Sequence, residues 1–167
     1  MNKLFILCAA VFAAIAFSSC KNEKKPSDMR QVLEFRSTLT KQDTTQVLDL
    51  ANKCMELLKN KNIDQAVASL NEYDDSLCQV KPLSKESEQG VRKMFKLFPV
   101  LDYELSYYSL QSEGINDVKY TVTFAEEQNP EQNGRPVTSY MFNPVKVDGV
   151  WYLCIKKAGQ ASDELRR

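Results

Sequence analysis

Aromatic side chains at alternate positions are the residues of this chain best suited to hold a ligand. The alternating runs 101–107 and 118–124 each place two aromatic residues on one side, and Trp151 follows in a later run. Tyrosine and tryptophan combine an apolar body with one polar atom, which suits binding of a ring or an amphipathic molecule. The alternative is that these rings simply pack against helices as an ordinary core. The candidate pocket residues are Tyr103, Tyr107, Tyr120, Phe124 and Trp151, with Tyr140 as a further candidate.

Acid–base catalysis would need a titratable group beside these rings, and the sequence offers none. The chain has no histidine, which excludes Ser-His-Asp triads, Cys-His pairs and His-based zinc sites. Asp102 and Glu104 alternate to the side opposite the tyrosines, and Asp117 falls outside the register of its run. The acidic pairs at 74–75 and 126–127 lack the ligand spacing of a calcium loop. We therefore predict a non-catalytic protein with no catalytic residue, metal or cofactor.

Cys20 has the context of a lipid-attachment residue. Lys3 precedes fourteen apolar residues, 4–17, and Phe-Ser-Ser-Cys at 17–20 is compatible with a bacterial lipobox. Fourteen residues are too few to span a bilayer, which takes about 20. We predict a signal peptide over 1–19, lipidation of Cys20, and a location on the bacterial cell envelope, with the outer membrane expected and the periplasmic or surface face left open. A simple signal cleaved elsewhere is the alternative.

Composition limits the partners and the cysteine chemistry. The 22 basic and 22 acidic residues balance, and removal of Lys3 with the signal leaves 21 against 22. A near-neutral chain has no general attraction for nucleic acid, so none is predicted as a partner. Cys54 and Cys154 lie in apolar patterns and are read as buried thiols. A disulfide between Cys54 and Cys78 stays open, because connectivity cannot be read from sequence.

Helical periodicity dominates the first part of the chain. Polar residues favour a flexible tether over 20–43, with a short helical segment around Val32 as an option. Asp43 with Gln46 resembles a capping box and predicts a helix from there to about Lys59. A second helix is predicted over 63–70, and a third begins after a Ser84 cap. Pro99 ends the third helix.

After Pro99, the helical spacing of apolar residues gives way to a strand-like pattern in which apolar and polar residues alternate. Runs at 101–107, 118–124, 137–147 and 150–155 predict four strands joined by short turns, and therefore an antiparallel sheet. The Asp-Gly pair at 148–149 predicts a tight hairpin. Pro144 predicts an edge position or a bulge. The fold class is thus α+β, with three N-terminal helices packed on a curved antiparallel sheet of about four strands in a domain spanning 44–158, followed by a flexible tail at 159–167.

This order of elements, with KNIDQA at 61–66 and VDGVWY at 147–152, resembles the NTF2-like (cystatin-like) superfamily over about 44–157. With the lipobox, the chain resembles small lipoproteins of Bacteroidetes that carry this fold. The resemblance implies a cone-shaped cavity between helices and sheet, lined by the aromatic residues. Some members are enzymes with an aspartate base and a tyrosine donor, and no residue here matches that pair.

We therefore expect a lipid-anchored envelope module that binds a small ligand or a glycan fragment in this cavity. The alternative is a protein-interaction module that dimerises through the outer sheet face, and an NTF2-like enzyme is the third option.

Overall fold

The computed structural model describes residues 29–126 and 134–156. Over these residues the chain is an α+β domain, as predicted. Its helices are α1 (Met29–Thr38), α2 (Lys41–Lys59), α3 (Ile63–Ala68) and α4 (Lys85–Leu97). Its strands are β1 (Asn71–Asp74), β2 (Gln79–Pro82), β3 (Asp102–Leu110), β4 (Asn116–Thr123), β5 (Val137–Val147) and β6 (Val150–Ile155). The predicted signal peptide, Cys20 and the tail at 159–167 lie outside the described residues.

The start of α2 differs from the prediction by three residues. Thr40, and not Asp43, is the N-cap, and the Asp43 N–H donates to Thr40 Oγ1 at 3.2 Å. Asp43 sits at the third helical position and returns the bond by accepting from the Thr40 N–H at 2.8 Å. A capping box is therefore present, but Thr40 and Asp43 form it, three residues earlier than the predicted Asp43–Gln46 pair. The Ser84 cap of α4 is confirmed, because its Oγ accepts from the Ser87 N–H at 3.2 Å.

The segment 29–43, included in the predicted tether, is helical and packed. Val32 is buried, and Phe35 and Leu39 contact the hydrophobic core. The Arg36 side chain reaches the end of β3, where Nε donates to the Leu110 carbonyl at 3.0 Å. These contacts place α1 on the domain.

The sheet has six strands in the order β2-β1-β6-β5-β4-β3, so the predicted count of about four was wrong. It is also mixed, because β1 runs parallel to β6 through the Asn71–Cys154 pair while the other neighbours are antiparallel. Each of the two extra strands has four residues, and Glu72 is their only buried one. Strands this short and polar give no alternating signal, which is why they were missed.

Pro144 lies inside a central strand and not at an edge, because β5 runs between β6 and β4. The β4–β5 ladder ends at Phe142, and two side-chain amides take over beyond it. Asn116 Nδ2 donates to the Pro144 carbonyl at 2.7 Å, and Asn143 Oδ1 accepts from the Asn116 N–H at 2.8 Å. Proline has no N–H to offer a ladder, so these amides replace the missing backbone bonds.

One face of the sheet, the inner face, packs against α2, α3 and α4. Cys54 of α2 lies in this core with a free thiol, so the Cys54–Cys78 disulfide left open by the sequence is not formed. Burial raises the pKa of the Cys54 thiol to about 12. The core cluster contains Val47, Ala51, Cys54, Met55, Leu58, Ala66, Val67, Leu70, Phe95, Val100, Leu110, Val118, Tyr120, Val122, Tyr140, Phe142, Trp151 and Leu153.

The opposite face, the outer face, is partly covered by the chain itself. Residues 111–115 run beside β5, and the Lys146 N–H donates to the Glu113 carbonyl at 2.8 Å. Gly114 packs so tightly under Tyr73 of β1 that a Cβ atom at Gly114 would lie 2.6 Å from the ring. Nearby, the Lys156 ammonium donates to the fully buried carboxylate of Asp117. Of the outer surface of the sheet, the part near β3 is not covered by residues 111–115.

Candidate functional site

The aromatic residues of the inner face bond to the helices above them. Tyr120 and Tyr140 are neighbours across β4 and β5, and both are buried. The Tyr120 hydroxyl donates to Asn52 Oδ1 of α2 at 2.7 Å, and the Tyr140 hydroxyl donates to the Phe98 carbonyl. Burial raises the pKa of Tyr120 to about 12 and raises that of Tyr140 as well. Both phenols therefore stay protonated and hold the helix layer on the sheet.

Ring contacts fill the space in which the resemblance implied a cone-shaped cavity. Tyr120 meets Tyr103 edge to face at 5.6 Å and Phe142 at 6.3 Å between ring centres. Phe124 packs edge to face on Phe98 at the end of α4, with the ring centres 5.1 Å apart. Such tilted contacts are the preferred geometry of packed aromatic side chains. Within the described residues, these rings form a packed layer, as in the alternative interpretation of the sequence.

Tyr107 does not belong to this set, because the alternation of β3 breaks before it. A β-bulge between Leu105 and Tyr107 shifts the register, so that Tyr107 pairs with Lys119 of β4. Tyr107 consequently lies on the outer face, with the Lys119 ammonium 5.9 Å from its ring centre. Tyrosines occupy both 107 and 108, so the sequence pattern fits either register and could not reveal the bulge.

Tyr103 lies at the rim, in a polar group that the sequence analysis did not find. Its hydroxyl donates to Glu56 of α2, and the Lys59 ammonium lies 5.7 Å from its ring centre. Burial, followed by the Glu56 hydrogen bond, raises the pKa of Tyr103. Lys59 also bonds Asp102 at 3.0 Å, which lowers the pKa of that carboxyl. Helical spacing could have suggested Glu56, because it follows Asn52 by one turn on the side of α2 facing the sheet.

Asp43 forms the other polar centre, at the start of α2. Its Oδ1 accepts from Lys146 Nζ at 2.6 Å and from Trp151 Nε1 at 2.9 Å. Its Oδ2 accepts from the N–H and the hydroxyl of Thr40 at 2.8 and 2.7 Å. The Lys146 contact first, and then the Thr40 and Trp151 bonds, hold the pKa of Asp43 well below its usual range. This carboxylate is ionised and fully engaged, so it has no free position for a substrate.

A groove of about 400 Å³ opens beside Trp151, between α2 and the β5–β6 hairpin. Within it, Leu50 and Val150 supply apolar surface while a carboxylate, an amide and an ammonium supply polar contacts. Of the five predicted pocket residues, Trp151 alone lines this groove. A second groove, of about 510 Å³, lies between the α1–α2 junction and the end of β3. The first groove is lined by Gln46, Asp49, Leu50, Lys53, Gly149, Val150 and Trp151.

Among residues 29–126 and 134–156, no group of three or more acidic, histidine or cysteine side chains is arranged to hold a metal ion. In the same part of the chain, no helix has the length and apolar character to cross a bilayer.

Comparison with known proteins leaves the family open. No family model matches the chain, and no curated protein sequence matches it. A solved Campylobacter jejuni protein, named as an NTF2-like transpeptidase, aligns with 65% of this chain and 96% of its own at 17% identity and a TM-score of 0.38.

Proposed function

We propose that this chain is a non-catalytic, lipid-anchored module of the bacterial envelope with an NTF2-like fold, which binds a small ligand or a glycan fragment. The groove beside Trp151 is the proposed binding site. It replaces the cone-shaped interior cavity expected from the resemblance, because packed rings occupy that interior.

The composition of the groove is the observation that carries this proposal. Ligand sites commonly measure about 300–1,000 Å³ and combine apolar walls with a few polar groups. The groove has about 400 Å³, apolar walls from Leu50 and Val150, and polar contacts from Gln46, Asp49 and Lys53. Paired amide, carboxylate and ammonium groups around apolar surface suit the hydroxyls and the apolar faces of a sugar.

The state of Asp43 and Glu56, whose carboxylates bond to aromatic side chains, supports a non-catalytic role. Asp43 accepts four hydrogen bonds from the protein, and Glu56 lies exposed at the rim beside Tyr103. A general base needs a carboxylate that is both free to accept a proton and sheltered with its substrate. Neither residue combines the two properties.

The lipid anchor is supported by the sequence around Cys20. A basic residue, a short apolar run and a cysteine in a lipobox context are the features of a lipoprotein signal. Labelling of cells with a radioactive fatty acid tests this directly. The wild-type chain should incorporate label and Cys20→Ser should not, and equal labelling of the two would reject the anchor.

Ligand binding can be measured through the NMR signal of Trp151, because it is the only tryptophan in the sequence. Its indole N–H gives a single resonance in a ¹H–¹⁵N spectrum, so any shift reports on the groove. We would add N,N′-diacetylchitobiose as a glycan probe, and phenol and cyclohexanol as small amphipathic probes. Binding predicts saturable shifts of the indole signal and of the Lys53 and Gly149 amides.

A blocking substitution makes this test specific. Val150 is 52% exposed, so Val150→Arg should fold while its side chain fills the groove and removes the shifts. Leu97→Arg is the matched control, because Leu97 is 63% exposed on α4 and does not line the groove. Absence of saturable shifts with every probe, or binding that survives Val150→Arg, would reject the groove as the site.

The second candidate function, dimerisation through the outer face, is favoured by the position of β3. This strand forms one edge of the sheet, and the outer surface near it is not covered by residues 111–115. Met141 lies on this uncovered part, so Met141→Glu should weaken a dimer. Sedimentation over a range of concentrations measures it, and a monomer at all of them would reject this function.

A further inference from the structure

Helix α1 has one flank packed on the domain and another flank with exposed apolar side chains. Val32 is buried, and Phe35 and Leu39 contact the core from the same side of the chain. Met29 and Leu33, one turn apart, are 68% and 57% exposed. Large apolar side chains paired on one flank of a ten-residue helix suggest a surface that is covered in the working protein.

We infer that the Met29–Leu33 flank of α1 rests on the phospholipid surface to which Cys20 is anchored. This inference rests on the proposed lipid anchor. Eight residues, 21–28, lie between Cys20 and Met29. Even a fully extended link of that length spans only about 30 Å, so α1 cannot lie farther than that from the lipidated residue.

Because the link between Cys20 and α1 is short, even a weak contact between α1 and the bilayer is enough to keep the helix on the lipid surface. Each exposed side chain that enters the headgroup region would favour the contact by about tenfold, which is too little to hold a free protein on a membrane. A connection of eight residues raises the local concentration of helix at the bilayer to the millimolar range or above, so the same contact becomes populated. The polar neighbours Arg30 and Glu34 are exposed and would stay among the headgroups.

Single tryptophans on opposite flanks of α1 test this orientation. Leu33 and Gln31 are both exposed and are separated by about 200° around the helix, at 100° per residue. We would prepare Leu33→Trp and Gln31→Trp in the lipidated full chain. The proteins would be placed in vesicles of phosphatidylethanolamine and phosphatidylglycerol with brominated acyl chains, which quench tryptophan on contact. The wild type, with only Trp151, provides the background.

The inference predicts quenching roughly twofold stronger for Leu33→Trp than for Gln31→Trp, since the docked flank enters the acyl boundary and the other does not. Equal quenching of the two variants would overturn it. Failure of the wild type to sediment with vesicles would instead reject the anchor. In that case a histidine tag replacing residues 1–20 holds the same variants on nickel-chelating lipid, and the quenching comparison still decides the docking. The chain has no histidine of its own to compete for the nickel.

Discussion

Replacement of Asp43 by asparagine should destabilise the domain far more than its small change in shape suggests. Both carboxylate oxygens accept from donors: Lys146 and Trp151 on Oδ1, and the N–H and hydroxyl of Thr40 on Oδ2. Asparagine keeps one oxygen and presents an NH₂ group on the other side. In either orientation of the amide, its NH₂ group points at two groups that are themselves hydrogen-bond donors. Two hydrogen bonds are therefore lost, together with the negative charge that pairs with Lys146.

The magnitude follows from the burial of this cluster. Asp43 is 8% exposed, and the Trp151 indole it bonds is buried. Removal of one partner from a buried ion pair costs about 3–5 kcal/mol, and we expect the lower end because Lys146 keeps some contact with water. About 3 kcal/mol corresponds to a fall of roughly 10 °C in Tm for a domain of this size. Asp49→Asn, on an exposed position of the same helix, should change stability by less than about 0.5 kcal/mol.

Urea unfolding, followed by Trp151 fluorescence at several pH values, is the assay. The pKa of Asp43 is lowered in the folded state, so its contribution is present above its unfolded pKa of about 3.9 and is lost as pH falls further. The difference in free energy of unfolding between the wild type and Asp43→Asn should therefore be largest near pH 7 and should decrease below about pH 4. Equal stability at pH 7, or a gap that does not change down to pH 2.5, would refute this reasoning.

Three further substitutions or measurements follow from the packing. Gly114→Ala should destabilise by about 1–3 kcal/mol in urea unfolding, because the new methyl group overlaps the aromatic ring already in contact there, whereas Gly90→Ala has open space and should stabilise α4 by up to about 1 kcal/mol. Native Cys54 should resist Ellman's reagent until urea unfolds the domain, since burial raises the pKa of its thiol; rapid native labelling at this position would contradict that. Lys156→Met should cost about 3–5 kcal/mol, because it leaves the buried Asp117 carboxylate without its cation, and a second change of Asp117 to leucine should recover most of the loss in thermal unfolding.

The sequence predicted those parts of the fold that repeat a local period. Helices α2 and α4 carry apolar residues at helical spacing, β4 alternates, and β6 is an apolar run after an Asp-Gly turn, so the type of each element could be predicted. The β1–β2 hairpin was not, because its short polar strands are held by pairing with β6, which no local pattern records. The bulge before Tyr107 was hidden for a related reason, since adjacent tyrosines satisfy both registers.

The candidate site was only partly predictable because its contacts join distant parts of the chain. Trp151 was named from its aromatic character, but its partner Asp43 lies 108 positions earlier. Lys146, which lies 103 positions from Asp43, sits between two valines, and nothing in its local sequence indicates this contact. Asp43 itself was recognised only as a local helix signal, because capping is decided within one turn. The periodicity of the sequence therefore identified the aromatic residues. The polar atoms that bond to them are brought there by the tertiary structure, which no local pattern records.

The bond between the opening turn of α2 and the last strand also determines when the domain can be completed. A contact spanning 108 residues requires nearly the whole chain to be present, and contacts of such long range slow folding because a large loop must close first. A chain that lacks β6 leaves both the Asp43 carboxylate and the edge of β1 without their partners. Truncated copies that lack β6 should therefore be poor at reaching a stable state, and the native architecture becomes a check that synthesis has reached β6.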